Sequence, residues 1–139
     1  VATRNDDCRR LLSVPGIGPL GATALIAANG NGATFHKGRE LAAWLGLVPR
    51  QQTTGGKPTL LGISKRGNGY VRRMLIHGAR SLVQHLKRDN HELGPWITQL
   101  EKRAHKNVVV VALANKISRI AWAVLARQEN YRSSATATA

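Results

Sequence analysis

Apolar residues recur at steps of three and four along much of the chain, which is the spacing of one face of an α-helix. The clearest case is the segment 68–88, where Val71, Leu75 and Ala79 begin a continuous apolar stripe. The segment 107–128 is longer and mostly apolar. Its four consecutive valines would also suit a buried strand, but its length favours a helix. The pattern therefore predicts a mainly α-helical chain.

Residues 9–29 read as a helix, a tight turn with the sequence PGIG, and a second helix in which Pro19 suits the first position. Gly16 and Gly18 carry no side chain, so a phosphate can approach the backbone closely, and the dipole of the following helix favours an anion. Ile17 is predicted to point inward and pin the turn. This pattern is similar to the helix-hairpin-helix motif, which holds DNA backbones without reading sequence. An ordinary glycine turn between packed helices is the alternative.

One stretch breaks the helical pattern. Residues 50–63 alternate polar, glycine and β-branched residues around the sequence TGGK, which predicts a small β-hairpin or an exposed loop inserted between helices. Thr53 and Thr54 stand directly before the two glycines. A threonine hydroxyl is a weak nucleophile unless a base or metal removes its proton, and threonine at this place is more commonly a turn residue. The residues alone do not choose between these roles.

The charge of the chain points to a polyanionic partner. Its 139 residues, enough for one modest domain, include 21 Lys and Arg against 7 Asp and Glu, a formal net charge of +14. Nucleic acid is the first candidate; an anionic membrane is less suited because no single basic amphipathic segment is present. Every charged residue from position 50 to 87 is basic, so that a helix face there could neutralise several phosphates. The candidate contacts in that run are Arg50, Lys57, Lys65, Arg66, Arg72, Arg73 and Arg80.

Other chemistry finds little support in the sequence. Cys8 is the only cysteine, so neither a disulfide framework nor a thiol metal cluster is expected. The five histidines lack ligand spacing, and no two of the seven acids are spaced like a two-metal site. No apolar run reaches about 18 residues, so we expect no membrane partner. We predict no metal or cofactor site within this chain.

Four motifs in order carry a family resemblance: LLSVPGIGPLGATALIAANG, then GRELAAWLGLVPR, then GGKPTLLGISKRGNGYVRRMLIHGAR, and finally NKISRIAWAVL. Together they closely resemble the C-terminal transposase domain of the insertion-sequence family called IS one-ten, especially its IS eleven-eleven branch, related to the Piv DNA invertases. The likeness runs from about Arg10 to Leu125.

The resemblance implies a C-terminal domain over residues 1–130. The low-complexity end of the chain predicts a disordered tail over 131–139. Full-length members carry an N-terminal RuvC-like domain, which is missing from this chain, with acidic residues that hold magnesium. They are recombinases guided by a bridge RNA, and we expect a homo-oligomer acting in the bacterial cytoplasm at the nucleoid. Without the RuvC-like domain this chain is expected to be inactive.

In that family a serine of the C-terminal domain attacks the DNA phosphate and forms a phosphoserine intermediate. The resemblance assigns Thr54, in the nucleophile loop 50–64, to that position, or Thr53 if the alignment shifts by one residue. Ser64 falls in the ISKRGN motif instead. Threonine keeps the hydroxyl, but its methyl group stiffens χ1 and crowds an in-line attack. A non-catalytic helix-hairpin-helix module that binds DNA or RNA is the alternative function.

Overall fold

The chain folds mainly into α-helices, as predicted. The computed structural model describes residues 6–29, 35–47, 49–54, 57–63 and 69–132, and for the two strands the description concerns the backbone. Within these ranges there are six α-helices, two strands and one 3₁₀ turn. In chain order they are α1 (Asp6–Leu12), α2 (Pro19–Asn29), α3 (Gly38–Trp44), β1 (Pro49–Thr54), β2 (Lys57–Ile63), α4 (Gly69–His85), the 3₁₀ turn Arg88–Asn90, α5 (Leu93–Glu101) and α6 (Lys106–Arg127).

Helix α6 forms the centre of the core. It packs against α1, α3, α4 and α5, and its buried positions include Val110, Leu113 and Ile117, all fully inaccessible to solvent. Burying each such side chain stabilises the fold by about 1.5–3 kcal/mol. By length and composition α6 could cross a membrane, but about half of its apolar segment is buried inside the fold, as in the core helix of a globular protein.

Polar side chains on α6 fix the segments on either side of α3. The indole Nε1 of Trp122 donates to the carbonyl of Phe35 at 3.0 Å, just before α3 begins. The amide Nδ2 of Asn115 donates to the carbonyl of Leu47 at 3.1 Å, just after α3 ends. These two bonds set where the chain leaves the helical core toward β1.

Helix α4 ends at His85, three residues before the predicted boundary of 88, and the side chain of Arg88 supplies the reason. Its guanidinium donates to the carbonyl of Val83 at 2.7 Å and so satisfies a carbonyl in the last turn of α4. The same group donates to Thr98 Oγ1 at 3.3 Å and pairs with the Glu101 carboxylate. Arg88 thus joins the end of α4 to α5. The bounds of α6 differ from the predicted 107–128 by one residue at each end.

The pairing of Glu101 with Arg88 predicts an acid-sensitive contribution to stability. The hydrogen bond from Arg88 is the main cause that lowers the pKa of Glu101. A carboxyl whose pKa is lower in the folded state stabilises the fold above its unfolded pKa of about 4.3 and loses this contribution as the pH falls through the folded value. We therefore expect the free energy of unfolding to fall more between about pH 5 and pH 3 in the native chain than in Glu101→Gln. The difference should be less than about 1 kcal/mol because the pair is partly exposed. Urea unfolding across that pH range measures it, and parallel curves for the two proteins would contradict it.

Ordered structure continues past α6 into the predicted tail of 131–139. The backbone N–H of Tyr131 donates to Ser13 Oγ at 2.8 Å, and its hydroxyl donates to the carboxylate of Glu92. Its ring stacks on that of His91 with 6.1 Å between the ring centres. Tyr131, the first residue of the predicted tail, therefore contacts the folded domain, and the bounds of that tail stay a prediction. Residues 133–139 lie outside the described residues.

Candidate nucleic-acid interface

The PGIG turn between α1 and α2 contains one buried isoleucine, Ile17, and two glycines, Gly16 and Gly18. Ile17 is 6% exposed and its N–H donates to the carbonyl of Val14 at 3.2 Å, so the isoleucine pins the turn to the core as predicted. The carbonyl of Gly18 accepts from the N–H of Ala22 at 2.9 Å and begins the hydrogen bonding of α2. A Cβ placed at Gly18 would meet no atom within 4 Å. The backbone at Gly18 is therefore open to an approaching group.

Gly16 has a different role from Gly18. Its φ is +86°, a conformation that L side chains rarely adopt, and a Cβ there would lie 2.9 Å from Cδ1 of Ile117. On the facing helix, a Cβ at Gly78 would lie 1.9 Å from the carbonyl oxygen of Gly16. The turn and α4 thus approach backbone to backbone, which only a glycine pair permits. Sequence reasoning assigned Gly16 to phosphate approach; the structure places it against α4, Leu82 and Ile117.

A shallow cavity of about 310 Å³ lies between the PGIG turn and α4, beside this close contact. Gly18, Leu20, Met74 and His77 are among its lining residues. Leu20 is 69% exposed at the start of α2, so the rim combines an open backbone with an exposed apolar side chain. Gly78 and Met74 were not singled out from the sequence. The sequence does contain a signal for Gly78, because a glycine inside an amphipathic helix usually marks a close packing contact.

Arginines of α4 gather at two places along the helix. Arg73, His77 and Arg80 follow at steps of four and three; the first two are exposed and Arg80 is half-buried. At the first turn, a Cβ on Gly69 would lie 3.3 Å from both Nη2 of Arg72 and Nη1 of Arg73. The two guanidinium groups therefore meet where α4 begins. No acidic residue lies in that first turn.

Arg72 also has a structural partner. Its Nη1 donates to the carbonyl of Leu45 at 3.2 Å, next to the last turn of α3. This bond ties the start of α4 to the end of α3, so a contact from Arg72 to a phosphate stays a prediction. Lys65 and Arg66 lie outside the described residues. Arg50 and Lys57 lie in β1 and β2, where the description is of the backbone.

The two threonines lie at the end of β1 that is remote from α3. Strands β1 and β2 pair antiparallel, with Thr53 opposite Pro58 and Thr54 opposite Lys57; the register shifts between Pro49 and Gln51. Thr54 lies five steps along the extended chain from Pro49, about 17 Å at 3.3–3.4 Å per step. Residues 55–56, which join the strands, lie outside the described residues. The backbone thus places the candidate nucleophile next to a lysine at the far end of the pair.

Several acidic side chains in the described ranges have local partners. Asp6 pairs with Arg9, Asp7 with Arg10, and Glu40 accepts from the backbone N–H of His36 at 2.8 Å. In these ranges no three His, Cys, Asp or Glu side chains are grouped so as to hold a metal ion. Burial is the main cause that raises the pKa of Cys8, and burial with the Glu92 contact raises the pKa of the Tyr131 phenol. Neither group is activated as a nucleophile.

The sequence of the chain matches a known protein family. The sequence profile of the transposase IS116/IS110/IS902 family matches residues 8–93, which is more than half of the chain. The profile covers the PGIG turn, both strands and α4. The chain therefore belongs to this transposase family.

Curated relatives agree with this assignment. The chain is 49% identical over 97% of its length to the transposase for insertion sequence element IS1111A of Coxiella burnetii. It is 51% identical over 89% of its length to a probable family 20 transposase of Pseudomonas aeruginosa, and 46% identical over 86% to the transposase for insertion sequence element IS1328 of Yersinia enterocolitica. The chain spans 37%, 37% and 36% of the lengths of these three relatives.

Proposed function

We propose that this chain is the DNA-binding, nucleophile-bearing C-terminal part of a transposase that moves an insertion sequence by cleaving and rejoining DNA strands. The observation that carries the proposal is the open backbone at Gly18 beside the cationic face of α4, in a transposase-family chain of net charge +14.

Binding would use the backbone and the cations together. In a helix-hairpin-helix mode, the free N–H groups at the start of α2 face a phosphate, and Gly18 lets it approach because no side chain intervenes. Arg73 and Arg80 then neutralise neighbouring phosphates along the same duplex. Contacts of this kind position a duplex without reading its bases. We therefore assign this surface to sequence-independent holding of the substrate.

The chemical step would begin at Thr54. Its hydroxyl oxygen bonds to the phosphorus of the DNA backbone, and the bond from phosphorus to the departing strand's oxygen breaks. The hydroxyl proton is transferred during this step to the departing oxygen, so that the strand leaves with a free hydroxyl end. The product is a protein–DNA phosphodiester, whose reversal by another strand's hydroxyl needs no external energy source. Lys57, opposite Thr54 in the strand register, supports this assignment because a lysine there can offset phosphate charge. Thr53 is the second candidate.

Magnesium does not fit the described residues of this chain, since they hold no group of three carboxylate or imidazole ligands. We place the metal in the RuvC-like part of the full-length protein and derive no step through it here. A bridge RNA as guide, a homo-oligomer and a place at the bacterial nucleoid belong to the same proposal. The basic surface and the family membership support an RNA partner only as a second polyanion.

A non-catalytic module that binds DNA or RNA is the second candidate function. The observation that favours it is the threonine at the position where the resemblance expects serine, because the additional methyl group hinders attack. Both candidates predict nucleic-acid binding. They differ in whether a covalent adduct forms.

Binding to a DNA duplex tests the part that both candidates share. We expect the affinity to fall steeply as salt rises from about 50 to 200 mM, because each neutralised phosphate releases counterions. Gly18→Val should weaken binding about tenfold, the equivalent of about 1.4 kcal/mol, because the side chain would block the backbone from the phosphate. Fluorescence anisotropy with a labelled duplex measures both effects.

The matched control is Ala43→Val, which adds similar bulk at an exposed position of α3. Circular dichroism and thermal unfolding should show that both variants keep the helical fold, since the space at Gly18 is open. Unchanged DNA affinity in a folded Gly18→Val chain would refute the phosphate approach at this turn. An affinity that does not depend on salt would refute the electrostatic basis of binding as a whole.

A further inference from the structure

A second cluster of cations lies at the connection from α5 to α6, away from the PGIG turn. Lys102, Arg103, His105 and Lys106 are all exposed there; we call these four residues the basic corner. They fall outside the run 50–87, in which every charged residue is basic. Lys102 follows the last residue of α5, and Lys106 is the first residue of α6.

The positive charge of the basic corner exceeds the negative charge of the acids beside it. Within the described ranges, none of its three permanently charged side chains takes part in an ion pair; the pairs there are Arg9–Asp6, Arg10–Asp7 and Arg88–Glu101. Glu101 is the adjacent acid: it pairs with Arg88, and the charge of Lys106 is a lesser cause of its lowered pKa. Asp89 is exposed in the 3₁₀ turn that Arg88 begins. Three cations therefore face solvent together.

Helix stabilisation explains only part of this cluster. Lys102 and Arg103 follow the C-terminal end of α5, where the helix dipole favours a cation. Lys106 sits at the N-terminal end of α6, where a cation is unfavourable by about 0.3–1 kcal/mol and no acid lies in the first turn. His105 caps α6 through Nδ1, which accepts from the N–H of Asn107 at 3.1 Å. The positive charge of Lys106 is thus unfavourable for its own helix and lies among other cations. Such a group of cations suits a surface that binds a polyanion.

The basic corner lies next to α4, whose cations Arg73 and Arg80 we call the α4 surface. Arg88 bonds both to Val83 near the end of α4 and to Glu101 at the end of α5, so the corner adjoins the C-terminal end of α4. Arg72 and Arg73 mark the opposite end of that helix. Its 17 residues span about 25 Å. A duplex carries one charge per about 1.7 Å, so about 15 phosphate charges pass along this length, far more than the arginines of α4 can neutralise.

We propose that the basic corner is a second binding surface for the phosphodiester backbone, engaged together with the α4 surface. This inference rests on the proposed function for the presence of nucleic acid, but it depends on different residues. An anionic membrane is a less suitable partner for the basic corner. The exposed large apolar side chain in the first turn of α6 is Val108, at 55% exposure, and this single valine does not form a broad apolar face for insertion. Duplex DNA and structured RNA share the phosphodiester chemistry, and the experiment separates them.

The test compares two triple variants that remove the same charge. The first is Lys102→Gln, Arg103→Gln, Lys106→Gln; the control is Lys37→Gln, Arg39→Gln, Arg127→Gln, at exposed cations of α3, its N-cap and the end of α6. Both are titrated against a DNA duplex of about 20 base pairs and an RNA hairpin between about 50 and 200 mM salt. We expect the corner triple to reduce the slope of log K against log salt by about 2 to 3, since each lost phosphate contact removes about 0.9 on B-DNA. The control should change it by less than about 1.

The outcomes separate this inference from the proposed function. A reduced slope on DNA alone, on RNA alone or on both supports the corner and identifies the nucleic acid that it holds. An equal change in the control, or no change in the corner triple, overturns it, as does an effect seen only with phosphatidylserine vesicles. If Gly18→Val and a matched Arg73→Gln, Arg80→Gln pair weaken binding while the corner triple does not, the proposed function stands without the corner. If the native chain binds neither nucleic acid, both fail.

Discussion

Thr54→Ala, placed in the full-length transposase with its nucleic-acid partners, is expected to abolish the covalent protein–DNA adduct. The substitution removes the hydroxyl oxygen that would bond to phosphorus, and the alanine side chain has no group that could act as the nucleophile in its place. Trapping the reaction with a labelled DNA strand and separating protein-linked label by denaturing electrophoresis measures the loss. These 139 residues alone should form no adduct, because their described part holds no carboxylate cluster for a metal.

Two neighbouring variants serve as controls for Thr54. Thr53→Ala should leave the adduct detectable, since its position is the second candidate only. Thr54→Ser should raise strand exchange by up to about tenfold, about 1.4 kcal/mol in the barrier, because the methyl group that crowds the attack is lost. An adduct mapped to Thr53 or Ser64 would show that the nucleophile is misassigned. Metal-dependent cleavage by the isolated chain would contradict a site divided between two domains.

Gly78→Ala is expected to destabilise the fold by up to about 2 kcal/mol. Alanine is normally better than glycine inside a helix by about 1 kcal/mol, so propensity alone predicts a gain. The added Cβ would lie 1.9 Å from the Gly16 carbonyl oxygen, far inside contact distance, and the turn and α4 would have to move apart. Overpacking of this kind costs about 1–3 kcal/mol and sometimes more, which outweighs the propensity. Urea denaturation measures the change.

Gly21→Ala is the matched control for Gly78→Ala. Gly21 also lies within a helix, but its nearest neighbour, Cγ2 of Ile17, would be at an ordinary 3.7 Å from the new Cβ. Here propensity decides, and stability should rise by up to about 1 kcal/mol. The two substitutions are chemically identical and should have opposite signs. Equal effects would mean that the close approach of the turn to α4 is absent in solution.

The sequence predicted the long helices because their signal is local. The spacing of Val71, Leu75 and Ala79 defines one face of α4, and all three are buried. Helix α6 was predicted within one residue at each end, because an apolar pattern sustained over 22 residues leaves little choice. The end of α4 was missed because Arg88 satisfies the carbonyl of Val83 only when α5 is already in place.

The sequence singled out the glycines of the PGIG turn but not their separate structural roles. Composition and spacing singled out Gly16 and Gly18 together, yet one is packed and the other open. The difference depends on Gly78, which lies 62 positions further along the chain and meets Gly16 only after folding. Arg72 likewise looked equivalent to Arg73 until its bond to Leu45 was known. The chemistry at Thr54 stays a prediction that rests on the family resemblance.

The backbone contact between Gly16 and Gly78 bears on the rate and the affinity of the DNA binding that we propose for the PGIG turn and α4. Because the turn is fixed to α4, the open amides at Gly18 and the cations of α4 keep one relative position before any ligand arrives. A preorganised surface loses little conformational entropy on binding, so more of the ionic attraction appears as affinity. Association then needs no rearrangement of the protein, and encounter with DNA can be guided by long-range electrostatic attraction alone.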